Sequence, residues 1–346
     1  MNLTKRISIF IIFLTFQIII INFNKVEAAE KLRLYGFFDL EFEKADGGQE
    51  DTKGSFDQHR FNLLLEAPLN NNFSVKAHIE YEHSPKFSNG SGKGDMTIEW
   101  AYAEYIINNN FRIRGGTFLT PFGLYNEVHD ASPAYEFIRV PYGIYRADTV
   151  GGFAMFAKFS TGINLTGNHF IGSNLNVTYD LYTANGENDT NNEAEKDDNK
   201  NKAIGGRISV TPISDLTVGG SYFYDKKGTS AYSHSAFAGS LDYAPYPYHF
   251  RAEYASSELS GQREMSWYAE GTYAIKKFNP YIRYLMLDPD DNNSHDLWKA
   301  IILGCAYNIQ PDILLKIENR IIEGDTENTD VSTDYNEIAG ALAVAF

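Results

Sequence analysis

The sequence predicts an all-β fold, a transmembrane antiparallel β-barrel of about sixteen strands. Three observations lead there. Apolar residues recur at every second position from residue 31 to Phe346, which is the period of a strand and not of a helix. Short connections alternate with long polar ones, as turns and loops do at the two rims of a membrane barrel. Residues 1–28 have the form of an export signal, and beyond them no run approaches the ~20 apolar residues of a membrane helix.

The leading segment carries Lys5-Arg6, then an apolar run from Ile7 to Phe23 broken only by Ser8, Thr15, Gln17 and Asn22, then Val26-Glu27-Ala28. These are a basic start, an apolar middle and a small-residue cleavage site, with cleavage expected before Ala29. The apolar run is long for a signal, so an uncleaved anchor is the competing reading. The small residues at 26 and 28 favour a cleaved signal peptide, leaving 29–346 as the barrel.

In the first strand Leu32, Leu34, Phe38, Leu40 and Phe42 alternate with Lys31, Arg33, Asp39, Glu41 and Glu43. In the second, His59, Phe61, Leu63, Leu65 and Ala67 alternate with Gln58, Arg60, Asn62 and Glu66, and Leu64 breaks the pattern. The third sets Phe73, Val75, Ala77, Ile79 and Tyr81 against Ser74, Lys76, His78 and Glu80. The alternation returns at Phe111-Ile113, at Leu175 to Leu181 and at Ile313-Leu315-Ile317, and it ends on Ile338, Gly340, Leu342, Val344 and Phe346. The expected strands are 31–43, 57–67, 73–82, 95–107, 111–119, 151–160, 173–182, 203–211, 216–225, 233–243, 248–255, 264–275, 280–287, 297–308, 313–322 and 335–346. Roughly ten residues suit a tilted strand crossing a bilayer. Alternation is poorest in 151–160 and 297–308.

Short turns fall at 68–72, 108–110, 212–215, 244–247, 276–279 and 309–312, with longer polar segments between them. Phe73, Phe111, Tyr248, Tyr281 and Phe346 stand beside the short turns, where an aromatic girdle would sit. A secreted β-sandwich also has alternating strands, but its strands average five or six residues, and a closed barrel leaves no edge unpaired.

The alternate residues, facing inward, are charged at both signs: among them Arg33, Arg60, Lys76, Glu80, Glu99, Arg112, Arg114, Arg207, Arg251, Glu253, Glu270, Lys316, Glu318 and Arg320. About sixteen strands enclose more space than side chains fill, so such an interior holds water. The connection 120–150 differs from the other long loops. It carries Pro121, Pro133, Pro141 and nine large apolar or aromatic side chains between Phe122 and Tyr145, and a loop of that composition needs a surface to pack on. It is expected to fold into the lumen, with an external lid as the alternative.

The formal net charge is −15, and residues 1–28, whose Lys5, Arg6, Lys25 and Glu27 sum to +2, leave −17 on the remainder. Nucleic acid is therefore excluded as a partner. Cys305 is the single cysteine, so no intramolecular disulfide or thiolate metal site can form. No metal and no cofactor is expected.

Export, alternating strands, terminal Phe346 and the long third loop together resemble the general Gram-negative porins, and Gly115-Gly116-Thr117-Phe118-Leu119-Thr120-Pro121-Phe122-Gly123 resembles the strand-to-loop passage of phosphate-selective-porin-like proteins. The resemblance implies the outer membrane as location, a homotrimer, and a third loop whose acids face basic groups on the wall. Carried onto this chain, the loop acids are Glu127, Asp130, Glu136 and Asp148 and the wall bases Arg60, Arg112 and Arg114. Opposed in this way they would set a transverse field across a constriction. A phosphate channel needs a ladder of cations, but the inward bases here are interleaved with Glu80, Glu99, Glu253 and Glu270, and the net charge points to a weak cation preference.

Two other functions compete. Catalysis would need a motif, and neither Gly-x-Ser-x-Gly nor His-Glu-x-x-His occurs. Ser233, His234 and Ser235 adjoin, but alternation sends the histidine to one face and both serines to the other. Surface attachment by a plugged barrel would rest on the acidic loops at 183–202 and 288–296. The sequence therefore implies a non-enzymatic porin, embedded in outer-membrane lipid, passing small hydrophilic solutes or ions.

Overall fold

In a computed structural model of the chain, the described residues are 32–47, 53–82, 95–128, 130–145, 154–172, 175–188, 197–293, 296–324 and 334–346. The expected signal peptide lies outside them. Sixteen strands follow one another: β1 (Arg33–Ala45), β2 (Ser55–Asn70), β3 (Phe73–Glu82), β4 (Asp95–Asn108), β5 (Phe111–Leu119), β6 (Phe159–Ile171), β7 (Leu175–Ala184), β8 (Ala203–Ile213), β9 (Leu216–Lys227), β10 (Tyr232–Tyr243), β11 (Tyr248–Leu259), β12 (Gln262–Tyr273), β13 (Phe278–Asp288), β14 (Trp298–Gln310), β15 (Ile313–Gly324) and β16 (Tyr335–Ala345). Each pairs antiparallel with its neighbours in sequence, and β16 pairs with β1 to close the barrel. Closure satisfies every strand edge internally, as a lipid-embedded backbone requires. At the seam Gly36 N donates to Phe346 O (2.8 Å) and Phe346 N to Gly36 O (2.9 Å). A Cβ on Gly36 would lie 2.5 Å from the Phe346 ring, so the terminal aromatic seats itself on a glycine.

Period-2 patterning sorts the residues as expected. On β15, Leu315 and Ile317 are exposed on the outer face while Lys316, Glu318 and Arg320 are buried within. On β16, Ile338 points out, and Ala339 and Ala341 point in and pack against Ile138. Asn108 and Asn70 cap their short turns, each Oδ1 accepting from the backbone N two residues on (2.8 and 2.9 Å), the local geometry that favours asparagine there.

Three elements differ from the expectation. The sixth strand runs over 159–171 and not 151–160, so the third long connection extends to Lys158. The outer hairpin between β11 and β12 is only Ser260-Gly261, both at positive φ (54° and 93°), the conformation of a two-residue turn that continues the strand twist. Third, Asp39 pairs with Arg60 but Glu41 pairs with Asp57. Two steps on β1 thus oppose three on β2, a bulge that turns His59 inward beside Arg60 instead of outward with Phe61. One extra residue reverses the facing of the residues beyond it.

The candidate constriction and the wall that holds it

The connection 120–158 departs from the rim between β5 and β6, and Asn126 joins its two legs. Its Nδ2 donates to Thr120 O (2.7 Å) and Lys158 O (3.0 Å). From there the chain runs through the barrel interior. Phe122, Tyr125, Tyr135, Phe137, Tyr142 and Ile144 are buried in one cluster with wall residues Phe223, Ala236, Ala238, Ala255, Tyr268, Leu285, Ala300 and Ala306. Large loop side chains thus meet alanines on the inner faces of β10, β11 and β14, which leave the space the loop fills.

A backbone taken out of water must have its polar groups satisfied, and the charged wall does this. Lys316 Nζ donates to Ser132 O and Phe137 O (2.6 Å each). Glu318 Oε1 accepts from Ile138 N (2.6 Å). Arg283 donates to Arg139 O (2.7 Å), lies 3.7 Å over the Phe137 ring and pairs with Glu270 at 2.7 Å. Phenols of the loop reach the remaining carboxylates. Tyr145 Oη donates to Glu253 Oε2 (2.5 Å), and Tyr125 Oη donates to Glu270 Oε1. Gly123 is where the loop presses closest. It has φ +62°, its N donates to Ser221 Oγ (3.0 Å), and a Cβ there would stand 2.1 Å from Tyr145 Oη.

Of the loop acids and wall bases named from the sequence, Asp130 with Arg60 and Glu127 with Arg114 lie within ion-pair distance. Arg60 meets Asp130 at 3.0 Å. Glu127 meets Arg207, and Arg114 at 4.0 Å. Glu136 lies 3.9 Å from Arg251. Arg114 is held chiefly by Glu104 (2.9 Å), and Arg112 is exposed. Asp148 lies outside the described residues. These pairs close because the loop lies against the wall, and each of them ties loop to wall. Arg207 and Arg251 belonged to the inward list, but their partners could not be read from sequence, because the loop's path sets them. Arg283 was not singled out at all: it shares a face with Tyr281, which was expected in the outer aromatic girdle but is buried inside against Phe137 (ring centroids 4.3 Å), its hydroxyl donating to Glu318 Oε1 (3.1 Å).

Between β5–β8 and the connection lies a polar recess of about 360 Å³ lined by Arg112, Arg114, Arg207, Glu127 and Asp180 among others. Along β3 Lys76 and Glu82 are partly exposed, as is Lys158 on the returning leg.

One arrangement has the order acid, histidine, serine. His234 Nδ1 contacts Glu187 Oε2, and Nε2 lies 3.0 Å from Ser257 Oγ. The sequence placed serines 233 and 235 on the wrong face, and the partner comes instead from the adjacent strand. All three side chains are buried, and Ser257 Oγ donates to Met155 O (2.9 Å). The trio thereby joins residues 155 and 187 of the connections to the wall. Glu187 loses solvation by burial, yet His234 and Lys227 together hold its carboxyl below the usual range.

The family described as Gram-negative porin matches residues 23–326. Among solved structures, the anion-selective porin from Comamonas acidovorans aligns over 91% of this chain and 99% of its own, at 11% identity and TM-score 0.64. Salmonella typhi OmpF in complex with daunomycin aligns over 91% and 98%, at 15% identity and TM-score 0.64. A 92-residue stretch, 27% of the chain, is 30% identical to an uncharacterized protein of Aquifex aeolicus (strain VF5) and spans 21% of that protein's length.

Proposed function

The chain belongs to the Gram-negative porin family, and from that premise we propose that this outer-membrane channel passes small hydrophilic solutes and ions by diffusion through a lumen narrowed by the 120–158 segment. The observation that carries the reading is lopsided packing. The buried wall residues of the loop's apolar cluster come from β5 and β7–β16 and, among the described residues, none from β1–β4 or β6, while Lys76, Glu82, Arg112, Glu127 and Lys158 on or beside β3, β5 and β6 keep solvent contact. Charged groups in a dry interior would be costly, so a strip of exposed charge along one side is consistent with a water path there. The residues proposed to border it are Arg60, Arg112 and Arg114 on the wall and Glu127, Asp130 and Glu136 on the loop. No reaction is involved.

Selectivity in this reading is a slight preference for cations. It is supported by the net charge of −15, which raises local cation concentration at the mouths. Family membership supports a homotrimer. The reversal potential of a planar bilayer under a salt gradient tests the ion preference, and its sign should be that of cation flow; the opposite sign would sink it. Swelling of proteoliposomes in a series of sugars tests solute passage, with rates falling as sugar size rises. A second reading, a plugged barrel serving attachment, is favoured by the number of fastenings between loop and wall, and it predicts no swelling with any sugar.

A further inference from the structure

The bulge on β2 has a chemical result. It brings His59 to the inner face next to Asp39 and Glu41, which share that face because they are two apart on β1. Carboxylate oxygens of Asp39 and Glu41 and a ring nitrogen of His59 all lie within 4.8 Å of one another, and all three residues are buried. His59 Nδ1 stands 3.0 Å from Glu41 Oε2. We propose that these three side chains form a binding site for a divalent transition-metal ion, with Zn²⁺ as the representative, on the wall beneath the loop.

The case rests on what Asp39 lacks. It is 0% exposed, neither of its carboxylate oxygens accepts a hydrogen bond of normal geometry, and Glu41 Oε1 is in the same condition. Buried carboxylate oxygens without donors are costly, and an ion is one standard remedy. The neighbouring cations do not supply it. Arg60 pairs with Asp130 (3.0 Å) and Glu82 (3.3 Å). Lys316 is committed to Ser132 O and Phe137 O. Arg320 pairs with Glu43, Glu318 and Glu337 at 2.9–3.1 Å. Arg139 touches Glu41 only at 3.4 Å and Glu43 at 2.7 Å, so it keeps its stronger partner if an ion takes the Glu41 oxygens.

The donor set also selects the ion. One imidazole with two carboxylates suits zinc and its first-row neighbours, whereas calcium takes six to eight oxygens and magnesium keeps most of its water. Partly exposed Glu43 and Arg139 border the cluster and give it contact with the lumen. A bound ion there would replace the Arg139–Glu41 contact, linking metal occupancy to the seating of the loop.

Equilibrium dialysis of the refolded barrel against ⁶⁵Zn²⁺ tests the site, with folding of each protein checked by its compact migration on unheated gels. Wild type should bind one ion per chain. Asp39→Asn and His59→Gln should each weaken binding by at least about tenfold, the scale set by support residues around metal sites, while His249→Gln, whose ring pairs with Asp242 elsewhere, should bind as wild type does. Co²⁺ added to the wild-type barrel needs no variant. Intense visible bands of a four-coordinate ion are expected, and the pale spectrum of hydrated Co²⁺ would overturn the proposal. So would absence of bound Zn²⁺, or binding left intact in the folded Asp39→Asn and His59→Gln proteins.

Discussion

Gly123 combines positive φ with a neighbour that leaves no room for a methyl group. Gly123→Ala should therefore cost about 1–3 kcal/mol from backbone strain alone, plus displacement of Tyr145 from Glu253, and should lower the thermal unfolding temperature of the refolded barrel. Phe137 is fully buried, under Arg283. Phe137→Ala should remove on the order of 3–5 kcal/mol of packing and loosen the loop, read as faster protease cleavage within 120–158 with the barrel intact; an unchanged cleavage rate would place the loop's anchorage elsewhere. At Glu187 the folded carboxyl titrates below its unfolded value. Its contribution is therefore complete above the ordinary carboxylate range and is lost as pH falls through and below it. The stability gap between wild type and Glu187→Gln should be constant above about pH 5 and narrow toward pH 3. A gap that widened in acid would reverse the assignment. At this scale the sequence was legible for identity and facing but not for partners. Lys316, Glu318 and Arg320 read correctly as inward by alternation, whereas His59 did not, because a bulge has no signature in residue type.

The strand elements were legible where alternation was uninterrupted, as on β3, β15 and β16. Strand β6 was not, since Phe159-Ser160-Thr161-Gly162-Ile163 comes after an apolar loop leg, Phe153 to Phe159, that mimics a strand in composition. The β11–β12 hairpin was read as a loop because Glu258 to Arg263 is polar. The strands are joined there by the positive φ of Ser260 and Gly261, which composition does not report. A Cβ on Gly261 meets nothing within 4 Å, so Gly261→Ala isolates the conformational cost. About 1 kcal/mol is expected, measured as a modest fall in unfolding temperature with conductance unchanged; a loss of folding would show that the turn sets the register of β11 and β12.

For the whole molecule, closure and patterning come from one requirement. Lipid forbids unpaired backbone, so the sheet closes, and a circumference of sixteen strands leaves an interior too wide for wall side chains to fill. The chain occupies part of that interior with its own third loop, using alanines for space and buried charges for backbone partners. That the loop would need a packing surface was legible from its apolar content; which wall bases its acids would meet was not, because the fit of loop to wall is a property of the assembled barrel. The central claim is that the lumen is narrowed and still open. Single-channel recording of the refolded protein in a planar bilayer tests it most directly. Discrete conductance steps are expected, and silence from protein shown to be folded and inserted would contradict the account.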